Sequence, residues 1–256
     1  MLIDSHAHLN EPKLYQDLDG VLLRADQAGV KIIVNNGYDW HSSLMSLRLA
    51  EKYPQIYATV GIAPQDANTW NEEIKSKIAA LAQEKKVVAI GEIGLDYHHS
   101  NGSREEQKKA FLEQISLAKE LALPITIHDR DAHGDVLDII RRENAGVNGG
   151  IFHCFSGSWE MAKECIKLGF MISFAGPVTY NNAVKLQEVA KYAPLDTIIA
   201  ETDSPYLSPH PYRGKVNEPA RVLFTVEKIA QIKGLSFEEI AQKTSQNAAK
   251  IYGLKL

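Results

Sequence analysis

Residues 2–8 read Leu2-Ile3-Asp4-Ser5-His6-Ala7-His8. Two apolar residues and then alternation read as a short buried strand. Side chains alternate between strand faces, so Asp4, His6 and His8 share one face. The two imidazoles then stand about 7 Å apart along it, within reach of a single metal ion. A His-x-His pair alone also serves to close a strand by local hydrogen bonds, and a two-ligand match is a weak motif. The residues after this strand decide the fold. A helical stretch over residues 13–28, closed by Gly29, leads into a second apolar run over 30–34. Strand, helix and strand in that order imply a parallel pair joined by a crossover.

The alternation runs on to the end. Helical stretches are predicted over 41–52, 71–83, 104–122, 133–143, 158–168 and 181–192, and strands over 56–62, 87–93, 125–128, 150–155, 170–174 and 197–202. Two further helices are predicted over 218–232 and 236–252. Eight strands each followed by a helix predict an α/β fold, a single (β/α)8 TIM barrel with extra C-terminal helices. The apolar runs at 31–34, 87–90 and 197–200 suit strands buried on both faces. No Pro/Gly/Ser-rich linker, repeat or low-complexity tract interrupts the pattern, so residues 1–256 are expected to form one hydrolase domain. An open doubly wound sheet is the alternative, but no Gly-x-Gly-x-x-Gly comes after the first strand to support it.

Composition narrows the function classes. The chain has 256 residues, 45% of them apolar, and a net charge of −4 with nine histidines. No basic run exceeds Lys85-Lys86 or Lys108-Lys109. A protein that grips long duplex by neutralising many phosphates carries a basic patch, so any nucleic-acid contact here is local or relies on bound cations. Cys154 and Cys165 form no Cys-x-x-Cys pattern and are too few for a disulfide framework, which points to a reduced, cytoplasmic setting. Asp4 interrupts any signal-like apolar run, and no apolar stretch approaches the ~20 residues that a membrane helix needs.

Barrel enzymes place their chemistry at the C-terminal ends of the strands. Strand 1 ends in His6 and His8, strand 4 in Glu92, strand 5 in His128, strand 6 in His153, and strand 8 in Glu201 and Asp203. Any one of these residues alone reads as a hydrogen-bonded core histidine or a strand-end acid. Gathering imidazoles and carboxylates at one end without a cation is costly. Six nitrogen and oxygen ligands exceed what one catalytic zinc needs, so a two-metal site with a bridging carboxylate fits better. Glu92 is the natural bridge, with His6, His8 and Asp203 on one ion and His128 and His153 on the other. Mixed ligation suits Zn, Mn or Mg alike. Asp203 also suits a general base beside a metal-bound water, and Glu201 either orients a ligand or stands as a strand-end charge. Arg130 shares the parity of His128 and suits a substrate phosphate, or else an ion pair with Asp129 or Asp131. Arg213 and Lys215, after strand 8, reach an anionic substrate or remain solvated. His41, His98, His99, His133 and His210 are expected to face solvent or cap helices, and Cys154 to pack toward the helix layer.

These segments resemble the TatD-like metal-dependent deoxyribonuclease family, within the amidohydrolase-type barrels. The resemblance rests on Asp4-Ser5-His6-Ala7-His8, on Gly91-Glu92-Ile93-Gly94-Leu95-Asp96-Tyr97 and on Pro124-Ile125-Thr126-Ile127-His128. It rests equally on His153-Cys154-Phe155-Ser156-Gly157, Glu201-Thr202-Asp203-Ser204-Pro205-Tyr206-Leu207 and Arg213-Gly214-Lys215 with Asn217-Glu218-Pro219. It spans essentially the whole chain. It implies divalent-metal-dependent hydrolysis of phosphodiester bonds in DNA, often from a 3′ end, with metal ligands at His6, His8, Glu92, His128, His153 and Asp203. Short or single-stranded DNA ends are the implied substrate, and no protein partner is implied. One departure stands out. The family pattern after strand 3 is Gly-x-His-Pro, and here it is Gly61-Ile62-Ala63-Pro64. The ligand set is complete, so Ala63 bears on substrate positioning or rate. Two other readings remain: a hydrolase of a non-DNA ester or amide, such as an aminoacyl-RNA, and a metal-binding relative with little catalysis.

Overall fold

The computed structural model describes residues 1–99 and 102–256. Its strands are β1 (Leu2–Ala7), β2 (Val30–Asn36), β3 (Ile56–Val60), β4 (Val87–Asp96), β5 (Ile125–Arg130), β6 (Gly150–Phe152), β7 (Phe170–Phe174) and β8 (Ile198–Ala200). The helices are α1 (Pro12–Tyr15), α2 (Leu18–Gln27), α3 (Trp40–Lys52), α4 (Glu72–Leu81), α5 (Arg104–Glu120), α6 (His133–Arg142), α7 (Trp159–Lys167), α8 (Val184–Tyr192), α9 (Val222–Lys233) and α10 (Phe237–Tyr252). Strand order in the sheet is chain order from β1 to β8, which makes this an α/β TIM barrel, as the alternation predicts. Every residue of β4 is buried, as suits a parallel strand covered on both faces.

Local chemistry sets the element ends. Reciprocal capping boxes start α3 (Asp39 with Ser42), α5 (Ser103 with Glu106) and α10 (Ser236 with Glu239). The helix predicted over 13–28 is broken in two at Asp17, whose carboxylate lies over Gly20, where a Cβ would collide with it. A 3-10 segment over Pro64–Thr69 comes after β3, and the periodicity gave no sign of it. β6 and β8 stop earlier than predicted. The chain beyond them turns through left-handed residues, Cys154 at φ 42° and Asp203 at φ 55°, which cannot stay in a ladder.

Contacts group the chain into two compact units. The first comprises residues 1–35, 153–164 and 172–256. In it β1 pairs parallel with β2 from Leu2↔Val30 to Ala7↔Asn35, and β7 with β8 from Ile172↔Ile198 to Phe174↔Ala200. Past its last paired residue the β8 chain continues beside β1. Asp203 N–H donates to His6 C=O at 2.9 Å and His8 N–H to Ser204 C=O at 2.8 Å. Helix α10 packs on both strands and fixes them by side-chain bonds. Tyr252 Oη donates to Ser5 C=O at 3.0 Å, and Asn247 Nδ2 to Ile198 C=O at 2.8 Å.

The second unit comprises residues 36–152 and 165–171. Its strands β3 to β6 are parallel, with Val60↔Ile90, Gly94↔His128 and Ile127↔Phe152 in register. Gly94 sits at φ 145°, and a Cβ there would run into the His128 carbonyl oxygen. Two fully buried amides on α5, seven residues apart and so on one helix face, clamp two strand ends. Gln107 accepts from Asp96 N–H at 2.8 Å and donates to Asp96 C=O at 3.0 Å. Gln114 accepts from Ile62 N–H at 2.8 Å and donates to Ile62 C=O at 2.9 Å.

Replacing the second clamp leaves a buried donor and a buried acceptor unmet. Gln114→Leu should therefore cost on the order of 2–4 kcal/mol in urea unfolding. A loss below about 1 kcal/mol would mean that the Ile62 peptide groups find other partners.

Candidate metal centre

In the first unit three ligand atoms converge. His6 Nε2 and His8 Nε2 are 3.1 Å apart, and Asp203 Oδ1 lies 3.4 Å from His8 Nε2 and 3.8 Å from His6 Nε2. All three residues are buried. Ligands held about 2.0–2.2 Å from a divalent ion stand roughly 3.0–3.4 Å from one another, so the triangle has nearly the right edge for a cation. The strand alternation aims both imidazoles to one side. The left-handed turn at Asp203 brings the carboxylate back to meet them. Burial raises the Asp203 carboxyl, but the His8 hydrogen bond and the charges of His153, His6 and His8 outweigh it and leave it below the ordinary value. It is thus an anion at neutral pH.

A second group in the same unit joins His6, His153 and Glu201. The His6 and His153 rings stack at 4.0 Å. Glu201 is fully buried and well supplied with donors. Oε1 accepts from Cys154 N–H at 2.7 Å and lies 3.3 Å from His153 Nδ1, while Oε2 accepts from Ser173 Oγ at 2.5 Å. A carboxylate on the far nitrogen of a ligand histidine fixes its ring and raises its basicity. Asp4 lies beneath. It takes Thr202 N–H at 2.8 Å and Thr202 Oγ1 at 2.5 Å, and burial, opposed by these bonds, pushes its carboxyl up to about 8. It fastens β1 to the chain after β8.

The second unit holds another pair. Glu92 Oε1 lies 2.6 Å from His128 Nδ1, and Asp96 Oδ2 lies 3.1 Å from His128 Nε2. Burial raises the Asp96 carboxyl, but the bond to His128, the N–H groups of His99 and His98 and the His128 charge together hold it well below the carboxylate range. With Nε2–H donated to Asp96, the Nδ1 lone pair faces a carboxylate oxygen. That contact is short enough for a shared proton and shorter than the roughly 3.0–3.4 Å between two ligands of one ion, so a cation there requires the two atoms to part.

Of the sequence-predicted residues, His6, His8 and Asp203 come together as one ligand group, and Glu92 and His128 as a pair. Arg130 is exposed and has no acid partner among the described residues; Asp129 pairs with His133 at 2.8 Å and Asp131 lies 3.3 Å from His98. Arg213 stacks on the Tyr180 ring at 4.5 Å, and Lys215 lies 5.8 Å from the Tyr212 ring. Cys154 is half-buried. Two residues escaped sequence reasoning. Asp96 shares the strand parity of Glu92, which was signal enough. Gln65, whose Nε2 donates to Asp96 Oδ2 at 2.7 Å, had none. Among the described residues no helix is long and apolar enough to cross a membrane.

The model of the family described as TatD related DNase matches residues 3–253. The uncharacterized metal-dependent hydrolase YabD of Bacillus subtilis (strain 168) is 48% identical over 252 residues, which is 98% of this chain and 99% of its own. The 3'-5' ssDNA/RNA exonuclease TatD of Salmonella typhimurium is 34% identical over 256 residues, 98% of either chain. The crystal structure of the TatD homologue YJJV from Escherichia coli K12 matches with a TM-score of 0.94 at 30% identity, covering 99% of this chain and 98% of that one.

Donor sets this dense fit a divalent cation and bind it only when folded. Mn2+ at about 100 times its dissociation constant should therefore stabilise the protein by about 2.7 kcal/mol over the chelated form. His8→Ala should shrink that shift at the same free Mn2+. Equal unfolding midpoints with chelator and with metal would remove the cation reading.

Proposed function

The chain belongs to the TatD-related DNase family, and from that premise we propose that it hydrolyses phosphodiester bonds at accessible ends of single-stranded DNA or RNA. The protein is a metal-dependent hydrolase of that family. The observation that carries the proposal is the His6–His8–Asp203 triangle with an exposed, acid-free Arg130 elsewhere on the chain. We assign two divalent cations (Mg, Mn or Zn), one to His6, His8 and Asp203, the other to His128 and His153, with Glu92 shared. The same reading takes residues 1–256 as one catalytic domain and places it in the cytoplasm, where Cys154 and Cys165 stay thiols.

When bound, the cations polarise the phosphate and make a water acidic enough to attack at neutral pH. The chain does the rest. Asp203, ionised at neutral pH, accepts the proton of the attacking water at its carboxylate and passes it toward the leaving oxygen. Glu201 fixes the His153 ring and Asp96 the His128 ring, so the ligands need not reorganise during turnover. Arg130, Arg213 and Lys215 bind phosphate oxygens of the strand. A relative named as a single-strand exonuclease supports the substrate class. The net charge of −4 argues against a grip on long duplex. Ala63, buried and without a donor, keeps a second reading alive: hydrolysis of a non-DNA ester.

The test sets a labelled single strand, a bis-aryl phosphodiester and an aminoacyl ester side by side, each with Mg, Mn and Zn. The single strand should be the best substrate, shortened from one end. Asp203→Asn should lose at least the ~10²–10⁴-fold expected of a positioned acid or base at matched metal content. Preference for the aminoacyl ester would overturn the nuclease reading.

Arg130→Ala should raise KM for the single strand more than it lowers kcat, as expected when a phosphate is held equally in ground and transition states. Unchanged KM would take Arg130 out of the substrate path.

A further inference from the structure

The loop after β3 is held with unusual care for a loop that carries no reactive group at Ala63. Ser43 Oγ binds both Gly61 C=O and Gly61 N–H at 3.1 Å, the Gln114 amide clamps Ile62, and Ala63 N–H donates to Tyr38 C=O at 2.7 Å. Ala63 itself is buried and offers only a methyl group. Two residues on, in the first turn of the 3-10 segment, Gln65 supplies what Ala63 lacks. Its Nε2 donates to Asp96 Oδ2 at 2.7 Å and stands 3.4 Å from His128 Nε2.

Asp96 is the joint through which this matters. Its Oδ1 accepts the N–H groups of His98 at 2.8 Å and His99 at 2.7 Å. Its Oδ2 receives Gln65 and faces His128 Nε2 at 3.1 Å. All four acceptor positions of a buried carboxylate are thereby engaged, and the carboxylate has one place to stand. The ring of His128 is set by that place, and so is the direction of Nδ1 toward Glu92 Oε1 at 2.6 Å. Without the amide, Oδ1 keeps its two N–H donors but Oδ2 keeps only His128, and the carboxylate can turn about Oδ1. The ring then loses its alignment.

We propose that Gln65 is a positioning residue that holds the Asp96–His128 pair in line for metal binding, so that the loop serves the centre without an imidazole at position 63. The inference rests on reading His128 and Glu92 as metal ligands. An amide neither gains nor loses a proton near neutral pH, so Gln65 aligns the pair and takes no part in proton transfer.

Mn2+ titration calorimetry on the full chain tests this, with the parent, Gln65→Met and His128→Ala, alongside thermal unfolding of each protein in chelator. Methionine keeps the length of the side chain and removes the donor. Gln65→Met should weaken Mn2+ binding by ~10–100-fold, as loss of an outer partner of a ligand histidine does, with the chelated midpoint unchanged. Parental affinity in Gln65→Met beside a loss in His128→Ala would overturn the role of Gln65 and leave His128 as a ligand. Parental affinity in His128→Ala would overturn both. A fall in the chelated midpoint of Gln65→Met would reduce the residue to a fold support and also overturn the proposal.

Discussion

Asp4, Glu92, Asp96, Glu201 and Asp203 are carboxylates that water barely reaches. Asp4, Asp96 and Glu201 persist because the chain around them delivers donors. Burying a bare carboxylate costs several kcal/mol, more than any single packing contact returns. Asp96 takes two backbone N–H groups and two side chains. Glu201 takes a backbone N–H and a serine hydroxyl, while Asp4 takes the N–H and the hydroxyl of Thr202. Asp203 differs. Its bonding is to imidazoles alone, a set that invites a cation in place of a proton.

That constraint accounts for where regular structure stops. β6 and β8 are only three residues long, although the apolar pattern would carry them further. A ladder sends alternate side chains to opposite faces and cannot turn a carboxylate back onto its neighbour strand. Left-handed residues at Cys154 and Asp203 can, and such backbone costs on the order of 1–3 kcal/mol when the residue is not glycine. The cost is met by the bonds around it. His6 C=O receives the Asp203 N–H, and Asn217 Nδ2 closes on Thr202 C=O at 2.9 Å and Tyr206 C=O at 2.8 Å.

The barrel and its first ligand group were legible because period and parity are local properties. The 2-residue alternation at His6 and His8 and the change from strand to helix period recur along the chain, and they survive burial. The breaks were not legible. The split at Asp17 depends on a carboxylate seated over Gly20, and the 3-10 turn after Ala63 on clamps from Ser43, Tyr38 and α5. The clamping partners are distant in sequence. Glu201 shows the same limit. Parity put it on the right face, but whether it stood in water or anchored His153 depended on Ser173 and Cys154, whose positions no local pattern fixes.

Charge links the site to its substrate class. The chain carries −4 overall and buries several acids, so a strand of phosphates, the substrate proposed above, would meet a protein that on balance repels it. Attraction has to come from few points. Arg130 is exposed and, among the described residues, bound to no acid, and Arg213 has its guanidinium carbon over the Tyr180 ring, a pairing compatible with N–H donation to an anion. Metal cations reverse the sign of the acid clusters themselves. On the proposed reading, ligation and substrate attraction are one act: the acids that would hold the ions are the groups whose charge the ions would reverse. On the proposed reading, a protein with few free cationic points and a net charge of −4 suits short contact at a strand end better than a long grip on a duplex.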